Sequence, residues 1–395
     1  MTNEIILRYG TNPHQKPARA FVEGGTPLPF EVINGRPGYI NLLDALNAWQ
    51  LVRELKHALG LPAAASFKHV SPAGAAVAVP LSDTLEQTYF TGDAGGNVAL
   101  SPLACAYARA RGADRISSFG DWIALSEPVD VPTAELIRRE VSDGLIAPGY
   151  EPQALEILRQ KKNGSYCLLQ IDPNYQPPQL EQRQLFGVTL EQKHNDLIPT
   201  PADLTNIVTT NKELPEAAVR DILVALIALK YTQSNSVCFA YEGQIIGMGA
   251  GQQSRIHCTR LAGTKADAWF LRQHPRVLSL PLKSGIGRPN RDNAIDQYLL
   301  DRLPAAEEKI WLENFSQRPQ RLTAEEKQEW LAQQSGVTLG SDAFFPFRDS
   351  IDRAQQSGVS YVAQPGGSVR DDLVVDACNE YNIVMALTHT RLFHH

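Results

Sequence analysis

The feature that most constrains the fold is a short apolar run, Ala63-Ala64-Ala65-Ser66-Phe67, set between a helical pattern and a chain break. Upstream, Leu42, Leu43, Leu46, Trp49, Val52, Leu55 and Leu59 recur at helical spacing behind Asn41, a residue suited to the N-cap. Gly60 and Pro62 end that pattern. Downstream, Ser71-Pro72-Ala73-Gly74 breaks the chain again. A run this short and this apolar predicts a strand covered on both faces, which calls for an α/β sheet under helices. Lys68 and His69 follow it directly, and open α/β sheets place their ligands just beyond strand ends.

The alternation continues with a helix from Leu103 to Arg111, a strand from Trp122 to Leu125, a helix from Thr133 to Val141 and a strand from Cys167 to Ile171. Gln176-Pro177-Pro178-Gln179 reads as a connector, because adjacent prolines exclude helix and central strand. A second half opens with an amphipathic helix from Pro215 to Leu229, followed by a strand from Val237 to Ala240. A hairpin turn at Glu242-Gly243 then leads into Ile245-Ile246.

The halves echo each other. A helix leading to Phe67-Lys68-His69-Val70-Ser71 in the first matches a helix leading to Lys230-Tyr231-Thr232-Gln233-Ser234-Asn235 in the second. Asp143-Gly144, before a helical pattern and the strand at Cys167, matches Asp342-Ala343, before a helical pattern and the strand from Tyr361 to Ala363. The reading is a diverged duplication with ligands held between two α/β units. Residues 1–178 form the first unit, and 179–287 with 335–395 form the second. Residues 288–334, rich in Glu, Gln, Leu and Lys, are inserted helices with a solvated face.

At 395 residues the chain is long enough for two ordinary domains, and 43% hydrophobic with 20% charged residues is a globular composition. No apolar run approaches a membrane span, and Met1 to Arg8 lacks the pattern of a secretory signal. Five cysteines, Cys105, Cys167, Cys238, Cys258 and Cys378, stand singly, which predicts buried thiols in a reducing compartment, the cytoplasm. The Asn163-Gly164-Ser165 and Asn314-Phe315-Ser316 tripeptides are then coincidental matches to a glycosylation pattern. A net charge of −6 argues against general nucleic-acid binding, so an anionic ligand must be held by a few local arginines.

Several segments carry candidate chemistry. A histidine beside a lysine can act as a neutral base next to an oxyanion-stabilising cation, or the pair Lys68-His69 can simply cap a strand in water. Gly247-Met248-Gly249-Ala250-Gly251 lacks the last glycine of a dinucleotide loop, since Gln252 stands there, and licenses only a glycine-rich turn with close backbone approach. Thr232, Ser234 and Ser236 alternate, so in a strand their hydroxyls share one face. A monovalent-cation site and a plain polar face both fit that pattern. Ser341-Asp342-Ala343-Phe344-Phe345-Pro346-Phe347-Arg348-Asp349 sets three aromatics between carboxylates, suited equally to a flat heterocycle and to a core. The terminal Thr388 to His395 is a frayed tail unless the apolar residues upstream tie it down. A zinc deaminase would need His-x-Glu and Pro-Cys-x-x-Cys, and neither occurs.

Taken together, the chain resembles the transformylase portion of the bifunctional family of aminoimidazole carboxamide ribonucleotide (AICAR) transformylase/IMP cyclohydrolase. The resemblance lies in Leu7-Arg8-Tyr9-Gly10 with Asn12-Pro13-His14-Gln15, Ser66 to Gly74, Ala106 to Gly120, and Arg139 to Tyr150. It continues in Lys230 to Val237, Gly247 to Gly263, Ser341 to Asp349, and Arg391 to His395. It implies tandem duplicated cytidine-deaminase-like α/β units with a helical insertion in the second, and formyl transfer from 10-formyltetrahydrofolate to the 5-amino group of AICAR. It implies His69 as the base and Lys68 as the group that stabilises the oxyanion or protonates the leaving nitrogen. Arg8, Tyr9, Gly120, Asp143, Asn235, Arg255 and Arg391 would bind AICAR. Ile256, Phe344, Asp349, Ser368 and Val369 would contact the folate. A potassium ion would sit at Thr232, Ser234, Ser236, Asp342 and His394. The family also implies a homodimer with shared active sites.

Bifunctional members carry a cyclohydrolase domain ahead of the Arg8-Tyr9 segment. The expectation is therefore a monofunctional transformylase, with a separate IMP cyclohydrolase as partner. Gly366-Gly367 and Leu387-Thr388-His389-Thr390 depart from the family pattern, which bears on folate contacts rather than on the reaction. Two other readings stay open: the same acceptor with formate and ATP as donor, and a silent scaffold for the cyclohydrolase. The first lacks a G-x-x-x-x-G-K-[ST] loop, and retention of Lys68, His69, Asn235 and the end arginines opposes the second.

Overall fold

The computed structural model describes residues 2–94 and 99–395. Its first half runs β1 (Glu4–Leu7), β2 (Ala18–Phe21), β3 (Phe30–Asn34), α1 (Tyr39–Leu59), β4 (Ala63–Phe67), β5 (Pro72–Val77), α2 (Asp83–Tyr89) and α3 (Pro102–Gly112). It continues with β6 (Asp121–Leu125), α4 (Val131–Arg139), β7 (Ser142–Ala147), α5 (Pro152–Arg159) and β8 (Cys167–Ile171). An antiparallel ribbon follows, β9 (Leu180–Leu185) and β10 (Val188–Lys193), exposed along its whole length. The second half holds α6 (Glu216–Leu229), β11 (Val237–Tyr241), β12 (Gln244–Gly249), α7 (Arg255–Leu271), α8 (Pro275–Leu278), α9 (Arg288–Leu299), α10 (Ala305–Leu312) and α11 (Ala324–Leu331). It ends with β13 (Val337–Ser341), α12 (Asp349–Gln355), β14 (Val359–Gln364), α13 (Asp371–Glu380) and β15 (Val384–Leu387).

One mixed sheet of eleven strands unites the halves in the order β15-β14-β13-β11-β12-β5-β4-β6-β7-β8-β3. Strand β4 is buried at every position because helices cover both faces. Ala63, Ala65 and Phe67 pack into a layer shared by α1 and α6, while Ala64 joins the layer of α3 and α7. Side chains that alternate by two residues thus feed two cores. Leu51, Val52 and Leu55 of α1 are fully buried, each contributing roughly 1.5–3 kcal/mol. Helix α1 starts at Tyr39, three residues earlier than an N-cap at Asn41 implies, and Asn41 instead accepts the Gly38 amide at 2.9 Å from inside the first turn. Residues of α9 to α11, with Leu271 and Val277, bury a third, separate core. Among the described residues no helix is long and apolar enough to cross a membrane.

The strand order changes the internal correspondence. Each half has a helix, an antiparallel hairpin, a second helix, and then three parallel strands, so α1, β4, β5, α3, β6, β7 and β8 answer α6, β11, β12, α7, β13, β14 and β15. Strands β5 and β12 meet antiparallel at the centre, with Gln244 opposite Ala76. The echo between Lys68-His69 and Lys230–Asn235 therefore pairs unlike places: the first lies between two strands, the second between a helix and a strand. The counterpart of the Lys68–Ser71 turn is Glu242-Gly243. Likewise Asp143 opens β7, whereas Asp342 follows β13.

Gly247 and Gly249 are not part of a ligand loop. They lie in β12, where an added Cβ would come within 2.1 Å of the Ala262 carbonyl oxygen and 2.3 Å of that of Cys258. Gly74 of β5 is just as close, 2.0 Å, to the Ala110 carbonyl of α3. Glycine is required because α7 and α3 rest directly on the strand backbone.

Candidate functional site

The β4–β5 connection is a tight turn in which the Lys68 amide donates to the Ser71 carbonyl at 2.9 Å and the Ser71 amide donates back at 3.3 Å. Closing it puts both central residues in the left-handed region, His69 at φ 54° and Val70 at φ 57°. Such backbone costs a non-glycine residue roughly 1–2 kcal/mol, and a β-branched valine is an outlier there. The exposed imidazole of His69 is thus carried on strained chain. Asp44 of α1 accepts the Val70 amide at 2.7 Å. Burial pushes the Asp44 carboxyl above the usual carboxylate range, with the Val70 amide and the nearby His69 opposing that shift. Asp44 was not legible as a site residue; its one sequence signal is a carboxylate bordering the buried stripe of Leu42, Ala45 and Ala48.

Lys68 reaches sideways, its Nζ donating to the Phe119 carbonyl at 2.7 Å. Gly120 follows at φ 72°, its amide bonded to the Val141 carbonyl at 2.9 Å. Beneath this loop lies a buried base. The Ser66 hydroxyl bonds Ser118 Oγ at 2.7 Å and Asp121 Oδ2 at 2.6 Å, and Arg111 donates to Asp121 Oδ1 at 2.9 Å. Asp143 is exposed at the start of β7, paired with Lys162 at 2.8 Å, and its charge acts on Asp44. Lys68, His69, Gly120 and Asp143 therefore gather at one end of the adjacent strands β4, β6 and β7.

A second cluster adjoins the first. The Gln233 amide donates to Ser71 Oγ at 3.3 Å, which brings the 232–236 segment against the Lys68–Ser71 turn. That segment precedes β11 and is not a strand, so alternation does not align its hydroxyls. What gathers Ser234 and Ser236 is Asp342: its Oδ2 accepts their hydroxyls at 2.7 and 3.0 Å and the Ser236 amide at 2.9 Å. The Thr232 hydroxyl donates instead to the Ala228 carbonyl at 2.7 Å. Arg255, only 7% exposed, is bonded to Asp342, to the Ser236 carbonyl at 2.9 Å and to Asn235 Oδ1 at 2.8 Å. It neutralises the buried carboxylate and orients Asn235. The three hydroxyls spend their protons on protein acceptors and keep oxygen lone pairs, which suits a monovalent cation. No group of three His, Cys, Asp or Glu placed for a metal exists among the described residues.

The chain end is tied into this cluster. The Leu392 amide donates to the Asp342 carbonyl at 2.9 Å, and Ser234 and His394 exchange two hydrogen bonds, each of 3.0 Å. Burial holds the His394 imidazole below its ordinary pKa. Arg391 is exposed, its guanidinium 4.6 Å from the Phe393 ring. Arg8 and Tyr9 follow β1 and line a cavity of about 1170 Å³ with Glu31, Arg36 and Asn41. Neither Arg8 nor Arg391 makes an ion pair among the described residues, so both keep their donors for a ligand.

The aromatic segment divides. Phe345 is core, whereas Phe344 and Phe347 are 43% and 51% exposed. Ile256 is half-buried in the first turn of α7, and Asp349 is the first residue of α12. Ser368 and Val369 sit in the loop before α13, where Val369 is 99% exposed and Arg370 lies 5.2 Å from the Phe347 ring.

Residues 1–265 match a family model described as AICARFT/IMPCHase bienzyme. The chain is also similar to proteins named bifunctional purine biosynthesis protein PurH. It is 30% identical to that of Cereibacter sphaeroides over 98% of this chain and 59% of the relative. For Xylella fastidiosa the identity is 31% over 98% and 58%, and for Ruegeria it is 32% over 98% and 59%. The chain thus spans 58–59% of the length of these curated relatives.

Proposed function

Because the chain belongs to the AICARFT/IMPCHase bienzyme family, we propose that it transfers the formyl group of 10-formyltetrahydrofolate to the 5-amino group of AICAR, giving FAICAR and tetrahydrofolate. The observation that carries this reading is the strained turn presenting His69 beside Lys68, against the Asn235 cluster. The acceptor amine is conjugated with its imidazole ring and weakly nucleophilic, so a positioned base is needed. The amine nitrogen attacks the formyl carbon while His69 takes its proton. Lys68 neutralises the tetrahedral oxyanion. The bond from that carbon to the folate nitrogen then breaks, and the proton returns to the leaving nitrogen through Lys68 or His69.

Arg8 and Arg391 would hold the phosphate with paired guanidinium donors. Tyr9, Gly120, Asp143 and Asn235 would position the rest of AICAR, with Arg255 acting through Asn235. Phe344, Val369 and Ile256 offer apolar surface to a pterin, with Asp349 and Ser368 as polar partners. A potassium ion would take the hydroxyl oxygens of Thr232, Ser234 and Ser236 near Asp342 and His394. A homodimer with shared sites belongs to the same proposal, and the open apolar side chains of the ribbon, Leu185, Phe186, Val188 and Leu190, support it. The matching element order of the halves supports two cytidine-deaminase-like units, 1–178 and 179–287 with 335–395, around an insertion at 288–334. Five unpaired cysteines support work in the cytoplasm.

The test is to mix the purified chain with AICAR and 10-formyltetrahydrofolate and follow tetrahydrofolate release. Turnover only with formate and ATP would change the donor. To these residues the reading assigns formyl transfer alone, so IMP formed from FAICAR by the same preparation would correct it.

A further inference from the structure

The chemistry proposed above names His69 but not the group that fixes the turn beneath it. We propose that Asp44 is a positioning residue for formyl transfer: from α1 it receives the Val70 amide and so holds the left-handed turn that carries His69. This rests on the functional reading of Lys68-His69. The other half of the molecule shows the same device with different content. Asp221 of α6, the helix that answers α1, accepts the Gly243 amide at 2.6 Å. Gly243 answers Val70, and Glu242 answers His69, both left-handed at φ 77° and 48°. In both halves burial raises the helix carboxyl while the two turn amides oppose it, joined in the second half by Arg220 and in the first by His69. A carboxylate anchoring the hairpin is therefore a feature of the unit. In the second half a glycine makes the turn easy. In the first there is none, so the amide–carboxylate bond must supply the restraint that a glycine would have made unnecessary.

The experiment compares kcat and AICAR KM for Asp44→Ala, Asp44→Asn, Asp221→Ala and the pair Asp44→Ala/Val70→Gly. Asp44→Ala is expected to lower kcat by about 10-fold or more, since small misplacement of a catalytic group is costly, while the AICAR KM changes by less than about twofold. Asp44→Asn keeps an acceptor oxygen for the amide and should fall between Ala and the unmodified protein. Val70→Gly on Asp44→Ala should recover part of kcat, because the turn then no longer needs holding. Asp221→Ala should lower the melting temperature and leave kcat of the folded fraction unchanged. A normal kcat in folded Asp44→Ala, a loss confined to KM, or an equal kcat loss in Asp221→Ala would each overturn the inference. Should Asp44→Ala fail to fold, Asp44→Asn with and without Val70→Gly decides it: a reduced kcat that glycine raises supports positioning, and a normal one overturns it. No turnover by the unmodified protein overturns the functional reading, and the inference with it.

Discussion

The β4–β5 and β11–β12 hairpins occupy matching places in the two halves, and each closes on two left-handed residues anchored to a helix carboxylate. One uses Glu242-Gly243, with a glycine at the second of its two left-handed positions, as such a turn favours. The other uses His69-Val70, which such a turn disfavours. Local strain without a stabilising return marks places where the chain serves something besides folding. Their surroundings differ as well. Glu242 lies 3.5 Å from Arg109, an arginine 1% exposed at the joint between the halves, where Gln244 and Tyr89 complete a buried network. His69 is exposed, and the turn that carries it meets the 232–236 segment through Ser71 and the Gln233 amide. The comparison teaches that one hairpin is taken up by the joint between the halves, while the other is left open to carry the proposed chemistry.

Where the halves agree, damage should be equal. Gly74→Ala and Gly247→Ala each force a Cβ onto a helix carbonyl and should each cost about 3 kcal/mol or more, read by denaturant unfolding. A large gap between the two would break the structural correspondence. Where the halves differ, only one should carry activity. His69→Ala is expected to lower turnover by about 10²-fold or more, whereas Glu242→Ala leaves kcat near normal. Near-normal turnover in His69→Ala would remove the proposed base and erase the functional side of the comparison.

The sequence made the sheet legible through Ala63–Phe67 and the hairpin through Glu242-Gly243, because both signals are local. Three things escaped it, each for a physical reason. Repeated Ser, Asn and Asp residues suggested an echo one element out of step, since polar loop residues carry no record of strand order. The glycines of β12 resembled a ligand loop, because close helix packing and close ligand approach make the same demand on a Cβ. The contacts of Asp44, Arg255 and Asp342 join residues far apart in the chain: Asp44 reaches Val70 because α1 lies on the β4–β5 hairpin, and Arg255 reaches Asn235 and Asp342 from the start of α7. The pair Lys68-His69 was visible, but the strain of its turn was not.

The turns themselves can be exchanged, with smaller effects. Val70→Gly relieves the strain and should stabilise the fold by up to about 1 kcal/mol, and with Asp44 still holding the turn the gain in melting temperature should come with little change in kcat. Gly243→Val should destabilise by a similar or larger amount, because its Cβ also comes within 2.6 Å of Val79 Cγ2, and it should leave kcat alone.

The smallest effect is electrostatic. Burial raises the Asp221 carboxyl above its ordinary value of 3.8 even with the Arg220 guanidinium, 2.9 Å away, and the turn amides opposing. A carboxyl whose folded pKa is raised supports the fold fully below its unfolded pKa and loses that support as pH rises through the folded value. The unmodified protein should therefore give up a little stability over the window that opens near pH 3.8 and closes above the raised pKa. Asp221→Asn has no proton to lose there, so its stability relative to the unmodified protein should improve with pH across that window and then stay level. A difference curve that is flat, or that slopes the other way, would mean that Arg220 and the turn amides together offset or outweigh burial. The second hairpin would then be held more tightly in its charged state than the first.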